Sequence, residues 1–434
     1  MQSYTIHNHL ITAFDHACSW NAFLYSIHKI FTTALTFILF NKLSTEAFSL
    51  YANINSIIFL LLLWTDCGFK KSIARFIPEY ERIGVSFVKT LHTLLLFKIG
   101  IILCALPICA YAIYITLATL QLHHTPIIYS ALIIFCSESI LALLQLIYHA
   151  QFLHKYFNSI DTIGLLAYSS SAFLLCFYGS SSHNIVVGLI YGKIITSICT
   201  TLTAYLVLKK MPHNQQSALP INTTDPIQKS FIIHSAFMWF STLIKSLTER
   251  NALVPLLTYT INPEAANVFK IANESALFFY RIALKTIGTN DTTILTIARL
   301  QKENIAAIFS HVQQKISYLC LFISFIFIPI WLNKWHHTQQ IESTQLFFII
   351  TVCYLLEILL SPYERILEVD LQYRMLLRAY SPYILFLVIY ILAIQISQPT
   401  IVATVLIIHV MRLMSAFLLV IQAKKLYYHA HLYT

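Results

Sequence analysis

The sequence predicts an all-α polytopic membrane protein of about twelve transmembrane helices, built as two pseudo-symmetric sets of six. Three observations lead there. Hydrophobic residues make up 58% of the chain and charged residues 11%, with mean hydropathy +0.70; soluble proteins have roughly 45–50% and about 25%. The apolar excess runs along the whole chain in segments near the about 20 residues that cross a bilayer. The chain also repeats itself. Glu46-Ala47-x-x-Leu50-Tyr51-x-x-x-Asn55 returns as Glu264-Ala265-x-x-Val268-Phe269-x-x-x-Asn273, an offset of 218 residues from position 46 to 264. Ser72-Ile73-Ala74-Arg75-Phe76 is echoed by Thr296-Ile297-Ala298-Arg299-Leu300, 224 residues on. A repeat of this size in an apolar chain is the trace of many transporter folds, with the substrate path between the repeats.

The expected spans are 22–40, 48–66, 87–119, 127–147, 161–179, 185–208, 231–248, 265–285, 316–332, 345–360, 380–396 and 400–423. The third is too long for a straight crossing and projects beyond the bilayer. The seventh and eighth are the least apolar; the repeat supports them, because they match the first and second. Lys and Arg in the connections set the orientation. With a cytoplasmic N-terminus, the inside connections carry seventeen: Lys70, Lys71, Arg75, Arg82, Lys155, Lys209, Lys210, Lys229, Lys285, Arg299, Lys302, Lys315, Arg365, Arg374, Arg378, Lys424 and Lys425. The outside connections carry three, Lys42, Arg250 and Lys334. Both halves then start on the same side, which makes a parallel repeat about an axis along the membrane normal.

The net charge of +10 is mostly this cytoplasmic collar beside anionic lipid, and calls for no nucleic acid. Residues 1–21 read as an interfacial lead-in, 22–208 as the N-lobe, 209–230 as a polar cytoplasmic linker with Pro212, Pro220 and Pro226, 231–423 as the C-lobe, and 424–434 as a cytoplasmic tail. Nine cysteines without a CxxC pair indicate neither a disulfide framework nor a zinc site. The pairs His123-His124 and His336-His337 sit in outside loops; adjacent histidines without a third ligand are ordinarily solvated, and no metal is expected.

Polar stripes lie inside four spans. Residues at i, i+4, i+7 and i+11 share a helix face. Such stripes are Tyr25, Lys29, Thr32 and Thr36 in the first span and Ser49, Asn53 and Ser56 in the second. The seventh has His234, Ser241, Lys245 and Thr248, and the eighth Asn267, Lys270, Glu274, Arg281 and Lys285. These are repeat-related helices. A charge at bilayer centre costs at least about 2.5–3.5 kcal/mol, so such faces turn toward protein or water. Lys285 and Arg250 lie near span ends and snorkel. Lys245, Lys270 and Arg281 are read as cavity lining, with structural pairing such as Lys270–Glu274 as the alternative. The acids at membrane depth are Asp66, Glu138, Glu274 and Glu357. Asp66 and Glu357 are candidates for H⁺ or Na⁺ coupling; the alternative is pairing with nearby cations, such as Lys70 for Asp66.

The segment after the second span, Asp66-Cys67-Gly68-Phe69-Lys70-Lys71-Ser72-Ile73-Ala74-Arg75-Phe76-Ile77-Pro78-Glu79-Tyr80, resembles a connection in polysaccharide and lipopolysaccharide flippases. There the pattern is Gly-x-x-x-Ser-x-x-Arg-x-x-Pro-Glu, here Gly68, Ser72, Arg75, Pro78 and Glu79. These flippases are the Wzx-like branch of the multidrug/oligosaccharidyl-lipid/polysaccharide (MOP) exporter superfamily. The resemblance implies two six-helix lobes around a central cavity faced by helices one, two, seven and eight. It implies export of an oligosaccharide on undecaprenyl diphosphate from the cytoplasmic to the outer leaflet of a bacterial inner membrane. The expected partners are thus a lipid-linked oligosaccharide and membrane lipids, without an organic cofactor. Drug exporters of the superfamily rely on acids in the first helix, where this chain has His28 and Lys29. A cationic cavity suits a diphosphate, so Lys29, Lys245, Lys270 and Arg281 are expected on the phosphates, and Asn53, Ser241 and Asn273 on sugar hydroxyls. The alternative is a multidrug or other lipid-precursor exporter of the same fold. A membrane glycosyltransferase or polymerase fits less well, because the outside connections are short and carry no paired carboxylates.

Overall fold

A computed structural model describes residues 2–82, 87–119, 125–151, 153–179, 181–210, 229–246, 248–287, 291–300, 305–338, 341–396 and 400–431. Sixteen helices occur among them, and no strand. The first half holds α1 (Gln2–Lys42), α2 (Thr45–Trp64), α3 (Phe69–Arg82), α4 (Phe87–Thr119), α5 (Thr125–Ala150), α6 (His154–Tyr178) and α7 (Ser182–Lys210). The second holds α8 (Lys229–Ser246), α9 (Arg250–Thr260), α10 (Pro263–Ile287), α11 (Asp291–Leu300), α12 (Ile305–Thr338), α13 (Ile341–Val369), α14 (Tyr373–Ala379), α15 (Ser381–Ile396) and α16 (Ile401–His431).

Each of the twelve expected spans corresponds to one helix: α1, α2, α4 to α8, α10, α12, α13, α15 and α16. Eight stretches among the described residues are long and apolar enough to cross a bilayer. The remaining four expected spans coincide with α8, α10, α12 and α15. In α4, 33 residues reach about 50 Å at about 1.5 Å per residue, more than the about 30 Å of hydrocarbon. Its Leu96, Phe97, Leu103, Ile108 and Tyr111 are exposed, as lipid-facing side chains are.

The repeat is visible in helix capping. Ser44 Oγ accepts from the Ala47 N–H at 3.3 Å at the start of α2. Asn262 Oδ1, 218 positions later, accepts from the Ala265 N–H at 2.7 Å at the start of α10. Each side chain satisfies an amide that the first helical turn leaves open. Glu46 and Glu264 follow in the first turns, where the helix dipole favours a carboxylate. The second echo also has a structural counterpart, since α3 follows α2 as α11 follows α10.

The chain divides into two compact units, Ile30–Thr242 and Met1–Lys29 with Leu243–Thr434. In the first, the amphipathic α3 buries Phe69, Ile73, Phe76, Ile77 and Tyr80 against α5 residues Leu144, Ile147 and Tyr148 and against Phe231 of α8. The Phe76 and Phe231 rings meet edge to face at 5.6 Å. In the second, α13 packs against both α10 and α16, and Phe269, Phe347, Ile350, Ile358, Val405 and Ile408 are buried.

The boundaries differ from the expected lobes, 22–208 and 231–423, at α1 and α8. Each helix gives one part to each unit. Residues 2–21, expected as an interfacial lead-in, continue the first helix. Phe14 and Cys18 are buried, and Asp15 accepts from His311 of α12 at 3.2 Å and pairs with Lys315. Most of the expected tail, 424–431, likewise extends α16. The linker residues 211–228 and the pair His123-His124 lie outside the described residues, as do the side chains of His336 and His337.

Candidate functional site

In the unit that contains Leu243–Thr434, polar side chains of α1, α8, α10, α13 and α16 form three groups. The first surrounds Lys29. Its ammonium donates to Glu274 Oε1 at 3.1 Å, with side-chain exposures of 3% and 9%. Asn267 and Lys270, on the same stripe of α10, are buried too. Glu274 thus pairs with a lysine 245 positions away, a partner that helix spacing alone does not reveal.

Lys245 anchors the second group. Its ammonium pairs with Glu364 of α13 and lies 4.5 Å from the centroid of the Tyr380 ring. Tyr380 donates its hydroxyl to the same Glu364 oxygen at 2.9 Å. One turn on, Arg365 pairs with the buried Glu368 at 3.0 Å. Burial explains the pairing: an ammonium out of water without a counter-charge costs many kcal/mol, so it comes with a carboxylate.

The third group joins α16 to α13. Arg412 donates Nε and Nη2 to the two oxygens of Glu357 at 2.6 and 2.7 Å. It also donates Nη1 to the Thr248 carbonyl at 3.3 Å, where the chain breaks between α8 and α9, and stacks over the Tyr354 ring. The Tyr354 hydroxyl donates to Asn273 Oδ1 at 3.1 Å. Asn273 Nδ2 is buried and has no hydrogen-bond partner among the described residues. Glu357, a candidate for ion coupling, is thus held by a two-pronged arginine contact, the strongest geometry for such a pair.

In the unit Ile30–Thr242, Asn53 and Ser241 are buried and bonded within their own helices. Asn53 Nδ2 donates to the Ser49 carbonyl at 2.9 Å, and Ser241 Oγ to the Met238 carbonyl at 2.8 Å. Asn53 Oδ1 and Ser241 Oγ can still accept hydrogen bonds beside those local ones. Glu138 pairs with Lys193 of α7 at 2.6 Å. Asp66 lies in the turn after α2 and accepts from the Lys70 N–H at 3.0 Å.

The Gly-x-x-x-Ser-x-x-Arg-x-x-Pro-Glu motif builds a docking notch in the same unit. Cys67 and Gly68 both take left-handed backbone, φ 51° and 75°. A Cβ on Gly68 would stand 2.0 Å from the Ser235 carbonyl oxygen of α8. Ser72 Oγ donates to the Gly68 carbonyl at 3.0 Å and accepts from Ser235 Oγ at 2.7 Å. Arg75 pairs with Glu79 one turn away at 3.2 Å, around Pro78. Gly68 and Ser72 thus form a structural joint between α3 and α8, while Arg75 and Glu79 pair within α3.

The Arg281 side chain lies outside the described residues. Sequence reasoning missed Glu364, Tyr380 and Arg412. Arg412 carried a signal, since it stands alone in an otherwise apolar last span. Among the described residues no group of three His, Cys, Asp or Glu side chains is placed to hold a metal ion.

No protein-family profile and no curated protein matches the chain. Solved structures do. The eukaryotic MATE transporter AtDTX14 superposes with TM-score 0.69 at 12% identity, over 96% of this chain and 98% of that one. An outward-facing multidrug resistance MATE transporter of the MOP superfamily gives 0.60 at 13% identity, over 95% of both chains. A MOP superfamily transporter from Pyrococcus furiosus, described as having a binding pocket of reverse polarity, gives 0.59 at 13%, also over 95% of both. The chain therefore has the two-lobe helical fold of MATE transporters, and it is a multi-pass membrane protein.

Proposed function

We propose that this chain is a MOP-superfamily transporter that moves a lipid-linked oligosaccharide, carried on an isoprenyl diphosphate such as undecaprenyl diphosphate, from the cytoplasmic to the outer leaflet by alternating access. The observation that carries the reading is the placement of Lys29 and Lys245. They stand 216 positions apart in the two repeats, close to the 218-residue repeat offset, and each is paired with a glutamate. Cations on the first and seventh transmembrane helices suit an anionic headgroup. The lysine-rich connections support an inner-membrane protein with cytoplasmic termini. We read it as a transporter without catalytic activity of its own.

The test is lipid mass spectrometry on cells lacking the protein. An accumulated isoprenyl-diphosphate oligosaccharide is the expected result, and it names the cargo; an unchanged pool, with no second flippase in the cell, rejects the reading. A multidrug exporter is the second reading, favoured by the multidrug resistance transporters among the structural relatives. Within the flippase reading, Lys270→Ala is expected to lower export at least about tenfold, about 1.4 kcal/mol of headgroup interaction, with expression and monodispersity unchanged. Wild-type export by the well-folded variant removes Lys270 from the mechanism.

A further inference from the structure

We propose that Glu357, the Thr248 carbonyl and the Tyr354 ring form a cation site whose occupant is the chain's own Arg412, so that this site holds no Na⁺ or other mobile cation during transport. A site filled in this way stays filled whatever the cargo is. Of the two carboxylates read as candidates for Na⁺ coupling, it leaves Asp66.

Three kinds of group surround the guanidinium, and each of them binds cations. The two Glu357 oxygens accept from Nε and Nη2 at 2.6 and 2.7 Å. The Thr248 carbonyl oxygen accepts from Nη1 at 3.3 Å. The centroid of the Tyr354 ring lies 5.0 Å from Cζ, within the range of a cation–π contact. Carboxylate and carbonyl oxygens are also the ligands that hard metal ions take. An Na⁺ ion at Glu357 would therefore need the oxygens that Arg412 already uses. The pair is nearly closed to water, with side-chain exposures of 11% for Arg412 and 12% for Glu357. Two cations so close, with little water to screen them, repel each other strongly. One of them has to leave. For Arg412, leaving means giving up the carboxylate, the carbonyl and the ring together. Nor can it go as a neutral group, since a guanidinium keeps its charge where a buried lysine can lose it. The guanidinium is also tied covalently to α16, so it competes with dissolved ions at a high local concentration. The pairs Lys29–Glu274 and Lys245–Glu364 are held by ammonium groups, and lack this permanence.

The experiment uses the full-length protein in lipid nanodiscs and follows its thermal transition. NaCl at about 150 mM is compared with N-methylglucamine chloride at the same ionic strength. Methylguanidinium and its neutral analogue methylurea are then added separately. Wild type and the Glu357→Leu, Arg412→Met double variant are expected to respond equally to Na⁺. A rise in NaCl that wild type shows and the double variant loses would place Na⁺ at Glu357 and overturn the inference. Arg412→Ala empties the site and is expected to melt below wild type. Methylguanidinium is expected to raise its transition by at least about 2 °C and methylurea by less than about 1 °C, as a ligand binding only the folded state does. Equal responses to the two additives would show that the groups around Arg412 are not a cation site. The Na⁺ comparison needs no Arg412→Ala protein, and decides by itself if that variant is not monodisperse.

Discussion

Gly68→Ala is expected to lower stability by about 3–5 kcal/mol, seen as a large drop in the thermal transition of the purified protein. Two costs combine. Alanine at φ 75° is strained by about 1–2 kcal/mol. Its methyl would also overlap the backbone of α8, with the Ser235 oxygen at 2.0 Å, the Ser235 carbon at 2.8 Å and the Trp239 nitrogen at 2.9 Å. Backbone cannot rotate aside as a flexible side chain can, so α8 has to move. Movement weakens the Ser235–Ser72 hydrogen bond and the Trp239 Nε1 donation to the Trp64 carbonyl, 2.6 Å long. Overpacking of this kind costs about 1–3 kcal/mol and each hydrogen bond about 1. Gly100→Ala is the matched control. Nothing lies within 4 Å of a Cβ there, and within the helix alanine is favoured by about 0.5–1 kcal/mol. Equal transitions for the two variants would show that the notch is not a structural joint.

Arg412→Met is expected to destabilise by about 3–5 kcal/mol, and Glu357→Leu by a similar amount, because each strands a buried charge. The double variant is expected to recover most of the loss, since the partner left behind is the main cost. Arg412 also bonds the Thr248 carbonyl and stacks on Tyr354, so recovery falls short of wild type. The check is a double-mutant cycle on thermal transitions, with transport measured alongside. If the double variant folds and transports, the pair is a tie between α13 and α16. If it folds and does not transport, Glu357 acts in coupling. Strictly additive losses would mean that the two residues do not stabilise each other.

Spans and repeat were legible because hydropathy and capping are local. Ser44 and Asn262 cap their helices with atoms three residues from the amides they serve. The ion pairs were not legible in the same way. Each buried lysine on a stripe announces that a counter-charge exists, without saying which one. Lys270–Glu274 suggests itself because helix neighbours are visible in a sequence; Lys29–Glu274 is fixed by the packing of two distant helices. Gly68 shows the same limit from the other side. Its motif was visible, while the reason for the glycine lies in a carbonyl 167 positions later. Residues 1–21 carry neither Lys nor Arg and read as a lead-in, while residues 2–21 continue α1 in the structure. Asp15 within them pairs with His311 and Lys315, partners about 300 positions away that no local pattern reveals.

The passage of α1 and α8 from one compact unit to the other bears on how such a gene can change. The duplicated blocks and the compact units are out of register. A chimera joined at 211–228, the obvious mid-chain seam, would take residue 29 from one parent and 274 from the other, and likewise 72 and 235. Each would meet a stranger inside a unit meant to be uniform. The two halves are thus coupled: a substitution at 29 is expected to call for one at 274, and one at 68 or 72 for one at 235. Swapping halves between relatives would fail at these couples long before it failed at the membrane.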